Sequence, residues 1–187
     1  MITRRRLLGG AAGAWLVVRP GPVRGQEGVF LRAEEAPRQL FPDAQDVSER
    51  TIAATAALQG RIRDFLGRPP TLWESSYRIF TVKQGEAVVG FVVVVEEIGK
   101  HRPITYAVAV TPDARVHDLS VLAYREAYGG EVRERRFLKQ YRGKGLPDSL
   151  LPYQDIRNIS GATLSVQATG RAARKANAVL KALGDLS

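Results

Sequence analysis

Val88-Val89-Gly90-Phe91-Val92-Val93-Val94-Val95 is an apolar run of eight residues, six of them valine. It is well short of the ~20 residues a helix needs to cross a bilayer, and valine favours the pleated, closely packed environment of a sheet. The run reads as a central strand covered on both faces. Around it, Tyr77 to Val82, Ala87 to Glu97, Thr105 to Val110 and Val116 to Leu122 are short stretches rich in Val, Ile, Thr and Tyr. Gln84-Gly85, Gly99 to Pro103 and Thr111-Pro112-Asp113-Ala114 separate them with turn chemistry, and the close spacing predicts an antiparallel meander.

Outward from the strands the period changes. Ala54, Leu58, Ile62 and Phe65 share one helical face, Asp46 or Ser48 can cap the start, and Gly67-Arg68-Pro69-Pro70 ends the run, which predicts a helix over 47–66. Val166, Ala172, Ala176, Val179 and Leu183 predict a last helix over 165–184, with Gly184 as its stop. The fold class is therefore α+β: an antiparallel sheet meander with an N-terminal helix and a C-terminal helix packed on it, over 46–187. Residues 26–45 mix charge with Pro37 and Pro42 and read as a tether.

The chain has 187 residues, enough for one domain with a real core. It has no cysteine, which excludes a disulfide framework, a thiol nucleophile, an iron–sulfur cluster and CxxCH haem attachment. Two isolated histidines, His101 and His117, leave little room for a zinc site and read as solvated residues. The formal charge of +9 is misleading, because Arg4, Arg5, Arg6, Arg19 and Arg24 lie in a first stretch of 25 residues that holds no acid. The remainder carries 23 basic and 19 acidic residues, a net +4, which is ordinary solubility and not a nucleic-acid footprint.

That first stretch has a cationic start, an apolar segment from Leu7 to Val18 and a Pro-broken end at Val23-Arg24-Gly25, the order of an export signal over 1–25. Thr3-Arg4-Arg5-Arg6-Leu7-Leu8 resembles the twin-arginine signal except for Leu7 in the Phe place. The expectation is a periplasmic protein cut before Gln26; a general secretory signal or an uncleaved anchor, with membrane association, is the alternative.

The chemistry concentrates in Ile159-Ser160-Gly161-Ala162-Thr163-Leu164-Ser165. Small side chains leave the backbone uncovered, Gly161 can take φ > 0, and the helix that follows offers free N–H groups and a positive dipole end to an anion. Thr163 is placed to carry, or lie beside, a phosphate, with Arg171, Arg174 and Lys175 adding positive charge. The competing reading is a plain N-cap hydroxyl.

Ser160-Gly161-Ala162-Thr163 resembles the Ser/Thr-Gly-Ala-Thr motif of the FMN-binding domain family, which includes the flavin-bearing subunits of the sodium-pumping NADH:quinone reductase and of the Rnf electron-transport complex. Ile104 to Val110, the Pro112-Asp113 turn and Arg115 to Leu122 are similar to the family's paired strands. Arg125-Glu126-Ala127-Tyr128-Gly129-Gly130-Glu131 lies where a Glu-Thr-x-Gly flavin loop is expected, and Phe137 to Lys144 falls between that loop and the motif. The similarity spans about residues 85 to 183. It implies FMN as cofactor, with Thr163 esterified to the FMN phosphate by a flavin transferase that takes FMN from FAD. It also implies that Ser160, Gly161 and Ala162 shape the approach, and that Glu126, Tyr128, Gly129 and Gly130 form a loop facing the flavin. Two positions depart from the family pattern: Arg157 stands where an acidic residue is frequent, with Asp155 nearby, and Ala127 replaces the loop threonine.

Tyr128 could stack on the ring or pack a turn, and Gly129-Gly130 could be a simple hairpin turn. Arg133 to Arg136 reads as an exposed helical face that could dock an acidic redox partner. Trp73 and Phe137 read as core. The sequence shows no catalytic triad, carboxylate pair or metal cluster, and the resemblance implies an electron carrier between a membrane-associated redox partner and another acceptor rather than a substrate-turnover enzyme, with turnover of a small substrate left open. The protein supplies orientation and electrostatics while the ring does the chemistry. A binding module that keeps the fold without flavin is the alternative.

Overall fold

The computed structural model describes residues 28–186, so the export signal lies outside the described residues. Six strands form one sheet: β1 (Gly28–Val29), β2 (Asp46–Ala53), β3 (Ser76–Gln84), β4 (Ala87–Ile98), β5 (Pro103–Val110) and β6 (Val116–Tyr124). Their order is β1-β6-β5-β4-β3-β2 and every pairing is antiparallel. Four helices accompany them: α1 (Ala36–Leu40), α2 (Ala56–Leu66), α3 (Arg135–Leu138) and α4 (Thr163–Leu183). The meander is the one the turn chemistry predicts, with β4 in its interior.

Alternation along the strands builds two cores. Ile79, Val93, Tyr106, Val108 and Leu119 point to the face covered by α4 and α2. Phe80, Val82, Val92, Ala107, Ala109 and Leu122 point to the other face, where α1 brings Leu40 and Phe41. Both faces of β4 are thereby buried, which explains its unbroken valines. Gly90 is required there: a Cβ would lie 2.5 Å from the Phe41 ring and 2.8 Å from the Val110 carbonyl oxygen.

Two expectations are corrected. The predicted 47–66 helix divides into β2 over 46–53 and α2 over 56–66, with Thr55, not Asp46 or Ser48, as the N-cap accepting from Leu58 N–H. Leu58 and Ile62 do face the core, but Val47, Thr51 and Ile52 fit a strand, and the open edge of β3 takes their backbone hydrogen bonds. The exposed Glu49 and Arg50 then protect the new edge against further pairing. The tether expected over 26–45 is, from Gly28 on, part of the domain: β1 pairs with β6, and α1 buries Ala36, Pro37 and Leu40.

α4 is fixed to the sheet by charge as well as by apolar packing. Lys175 is fully buried. Its Nζ donates to the Leu72 and Glu96 carbonyls at 2.7 and 2.6 Å and to Glu74 at 3.0 Å, and lies 3.1 Å from Glu97. Arg171, one turn earlier, meets the other oxygen of Glu97 at 3.0 Å. Further along, the 143–158 loop crosses the helix at Gly170, where a Cβ would be 2.0 Å from the Leu150 carbonyl oxygen. Leu150 itself has φ 53° and Tyr153 φ 65°.

Gly170→Ala should therefore lower stability by about 1–3 kcal/mol, the usual cost of overpacking. Gly60→Ala, in α2 with open space around the new methyl, should raise it by about 0.5–1 kcal/mol. Urea denaturation of both variants checks the pair of signs.

Candidate functional site

Ala162 N–H bonds back to the Ile159 carbonyl at 3.0 Å, closing a turn whose third residue, Gly161, has φ 81°. Only glycine takes that position at no steric cost. α4 begins at Thr163, and Ala162, in the N-cap place, has no oxygen to cap with. Thr163 is thus the first residue of the helix and not its cap, which corrects the N-cap reading. Its Oγ1 instead accepts from Asn158 Nδ2 at 2.8 Å, and the same nitrogen donates to the Tyr153 hydroxyl at 2.6 Å.

The loop after β6 meets this turn from the other side. The Tyr124 hydroxyl donates to the Tyr128 carbonyl and lies 3.0 Å from Ser165 Oγ. Gly129, at φ 84°, fits between them: a Cβ there would be 3.0 Å from Ser165 Oγ and from Tyr124 Oη, and 3.1 Å from Ala162 Cβ. Gly129 thus packs against Ala162, 33 residues further along the chain. Gly130 opens a 3-10 turn through Arg133, so the pair is not a hairpin turn. The Tyr128 ring is 54% exposed and packs no core.

Glu126 goes elsewhere. Its carboxylate accepts from His101 and Arg102 N–H at 2.5 and 2.9 Å and holds the β4–β5 turn against the end of β6. Burial pushes its pKa up, but the Arg102, His101 and Lys100 N–H groups and the His101 charge outweigh it, and the carboxyl lies below its ordinary value. Asp155 closes its own loop by accepting from Leu150 and Leu151 N–H at 3.0 and 3.1 Å.

Beside Asn158 runs a groove of about 500 Å³, lined among others by Glu131, Phe137, Gln140, Arg157 and Ile159. Two buried acceptors there, Asn158 Oδ1 and Glu131 Oε2, have no hydrogen-bond partner among the described residues. Buried acceptors without donors are uncommon in finished folds. Phe137 is both core and groove wall. Sequence reasoning gave no role to Asn158, Glu131 or Gln140, although Glu131 closes the quoted 125–131 loop, Gln140 lies in the 137–144 stretch and Asn158 stands two residues before Ser160.

The remaining expectations resolve simply. His101 and His117 are both exposed, His117 with its ring stacked on Phe41 at a centroid distance of 4.3 Å. Trp73 is half-buried against the main core. Arg133 to Arg136 is split between the 3-10 turn and α3; Arg133 lies over the Phe30 ring, Arg135 pairs with Asp118, and Arg136 is exposed. No cluster of His, Asp and Glu suited to a metal occurs among the described residues, and none of their helices is long and apolar enough to cross a membrane.

Since the folded Glu126 pKa is below the unfolded value of about 4.3, its contribution is complete above that value and disappears as pH falls through the folded one. Glu126→Gln should be less stable than wild type at pH 7, and the gap should close as the pH is taken below about 4. Thermal denaturation across that range reads it.

Residues 99–178 match the family model described as FMN-binding domain. No curated protein matches the chain.

Proposed function

We propose, from the premise that residues 99–178 match the model of the FMN-binding domain family, that this chain holds FMN through a phosphoester at Thr163 and serves as an exported electron carrier. FMN is the cofactor, and when bound it supplies the redox ring. The chain supplies attachment, orientation and charge.

The observation that carries the reading is the state of the Thr163 hydroxyl. It stands at the first residue of α4, is not spent on capping, and is oriented by Asn158. Because Asn158 donates to Oγ1, the threonine proton remains free to leave. In the transferase reaction Oγ1 bonds to the phosphorus of the FMN half of FAD, the bond to AMP breaks, AMP departs and the hydroxyl proton goes to the solvent or the transferase. No electron changes hands. The helix N-terminus and the exposed Arg157 favour the phosphate that results.

Asn158 Oδ1 and Glu131 Oε2 fit the ribityl hydroxyls or the ring N–H as acceptors, and Phe137 fits the ring's apolar body. Gly129, Gly161 and Ala162 keep the approach to Thr163 narrow and free of side chains. Glu126 acts one step away, by fixing the β4–β5 turn beneath its own loop. Ser160, exposed, is available to the transferase.

A phosphoester suits the exported compartment suggested by the Arg4-Arg5 leader, where FMN lost by dissociation is not replaced. The partners on this reading are the flavin transferase and a membrane-associated redox donor or acceptor. Arg157 in the place of the family's usual acidic residue favours the second reading, an unmodified binding module.

Protein co-expressed with a flavin transferase should gain the mass of one FMN and stay fluorescent after denaturation. Thr163→Ala should abolish both signals while the circular dichroism is unchanged. Asn158→Ala should lower the modified fraction several-fold, since the hydroxyl loses its orienting donor. An unmodified mass under these conditions would establish the binding module instead.

A further inference from the structure

A second concavity, of about 280 Å³, opens on the far flank of α4, between the helix and the segment that follows α2. Its volume is little more than half that of the groove beside Asn158 and falls at the low end for ligand pockets, which suits a molecule much smaller than a flavin. Arg68, Arg171, Arg174 and Gln167 line it, with Pro69 and Pro70 as apolar surface.

The charges there do not cancel. Glu97 is the one acid in the lining, and it is already matched: one oxygen lies 3.1 Å from Lys175, the other 3.0 Å from Arg171, with Glu74 completing a neutral set of two acids and two bases. Arg68 and Arg174 are left in excess. Arg174 is held in place by donating to the Leu146 and Asp148 carbonyls at 2.6 and 2.7 Å, which are neutral partners. The nearest carboxylates are engaged with other groups: Asp148 with Gly145 N–H and Arg115, Asp155 with the 149–151 loop and Lys144. Burial, and after it the Arg68 charge, pull the Arg174 pKa below its ordinary value and outweigh the opposing pull of the Asp148 and Asp155 carboxylates. Arg68 is exposed where it lines the pocket.

We propose that this pocket binds a small organic carboxylate, its carboxylate on the Arg68, Arg174 and Gln167 donors and its apolar body on Pro69 and Pro70. Guanidinium pairs with carboxylate through parallel, charge-assisted hydrogen bonds, and two prolines offer a rigid apolar surface that needs no ordering on binding. This site is independent of whether Thr163 carries flavin.

The test is calorimetric titration of the full chain, with and without FMN, using benzoate, acetate and inorganic phosphate as probes. Benzoate should bind saturably in both states and more tightly than acetate or phosphate. Arg68→Gln and Gln167→Glu should each weaken benzoate at least ten-fold with unchanged circular dichroism, and Arg136→Gln, in the other groove, should leave it unaltered. Failure of benzoate to saturate, insensitivity to both pocket variants, or phosphate binding as tightly as benzoate would each overturn the proposal. Benzoate binding that vanishes on FMN loading would overturn its independence and assign the pocket to the flavin.

Discussion

The position of α4 depends on a single buried ammonium. Lys175 reaches through the helix–sheet interface to two main-chain carbonyls and two carboxylates, drawn from β4 and from the segment before β3. Removing one member of such a set leaves the others charged and desolvated, which typically costs about 3–5 kcal/mol, whereas replacing the whole set by apolar groups can be neutral. The value of the network lies in register. An Ala-rich helix face such as Ala168, Ala172, Ala176 and Val179 can slide on a valine sheet at little cost, but Lys175 has one place where all its donors are used.

Register matters because the chemistry is at the helix end. With Lys175 fixed, Gly170 lies under the Leu150 carbonyl, and Thr163, about 10 Å further up at 1.5 Å per residue, arrives beside Asn158. The same placement sets Ser165 against Tyr124 and lets the Gly129 backbone approach Ala162. The 124–129 loop, the 153–158 loop and the start of α4 thus meet around one turn, and Gly129 and Gly161, both at positive φ, are where the backbone turns there without a side chain in the way. The flank of the helix that carries Gln167, Arg171 and Arg174 is fixed by the same register.

Much of this was legible beforehand. β3 to β6 and α4 declare themselves through period and turn residues, with boundaries displaced by only a few residues, because those elements are buried and their patterns are dictated by the core. The motif around Thr163 was legible because its chemistry is local: a turn, a glycine and a helix start. The 47–55 segment was not, since its apolar residues suit a helix face equally well, and the deciding hydrogen bonds come from β3. The part Glu126 plays in the fold was hidden for the same reason: an acid in a flavin-type loop and an acid that stitches a turn look alike until the turn's N–H groups are located.

What the sequence by itself determined is therefore what short-range physics determines: the strands, the last helix, the Gly161 turn and the presence of a hydroxyl at the threshold of that helix. Only the tertiary structure decided which groups that hydroxyl meets, that it is free of capping, which buried acceptors lack donors, and where uncompensated arginines gather. Arg68 with Arg174 and Gly129 with Ala162 are pairs that no short window along the chain contains, and even the Asn158–Thr163 contact, five residues apart, has its geometry set by how α4 and the loop before it pack on the sheet.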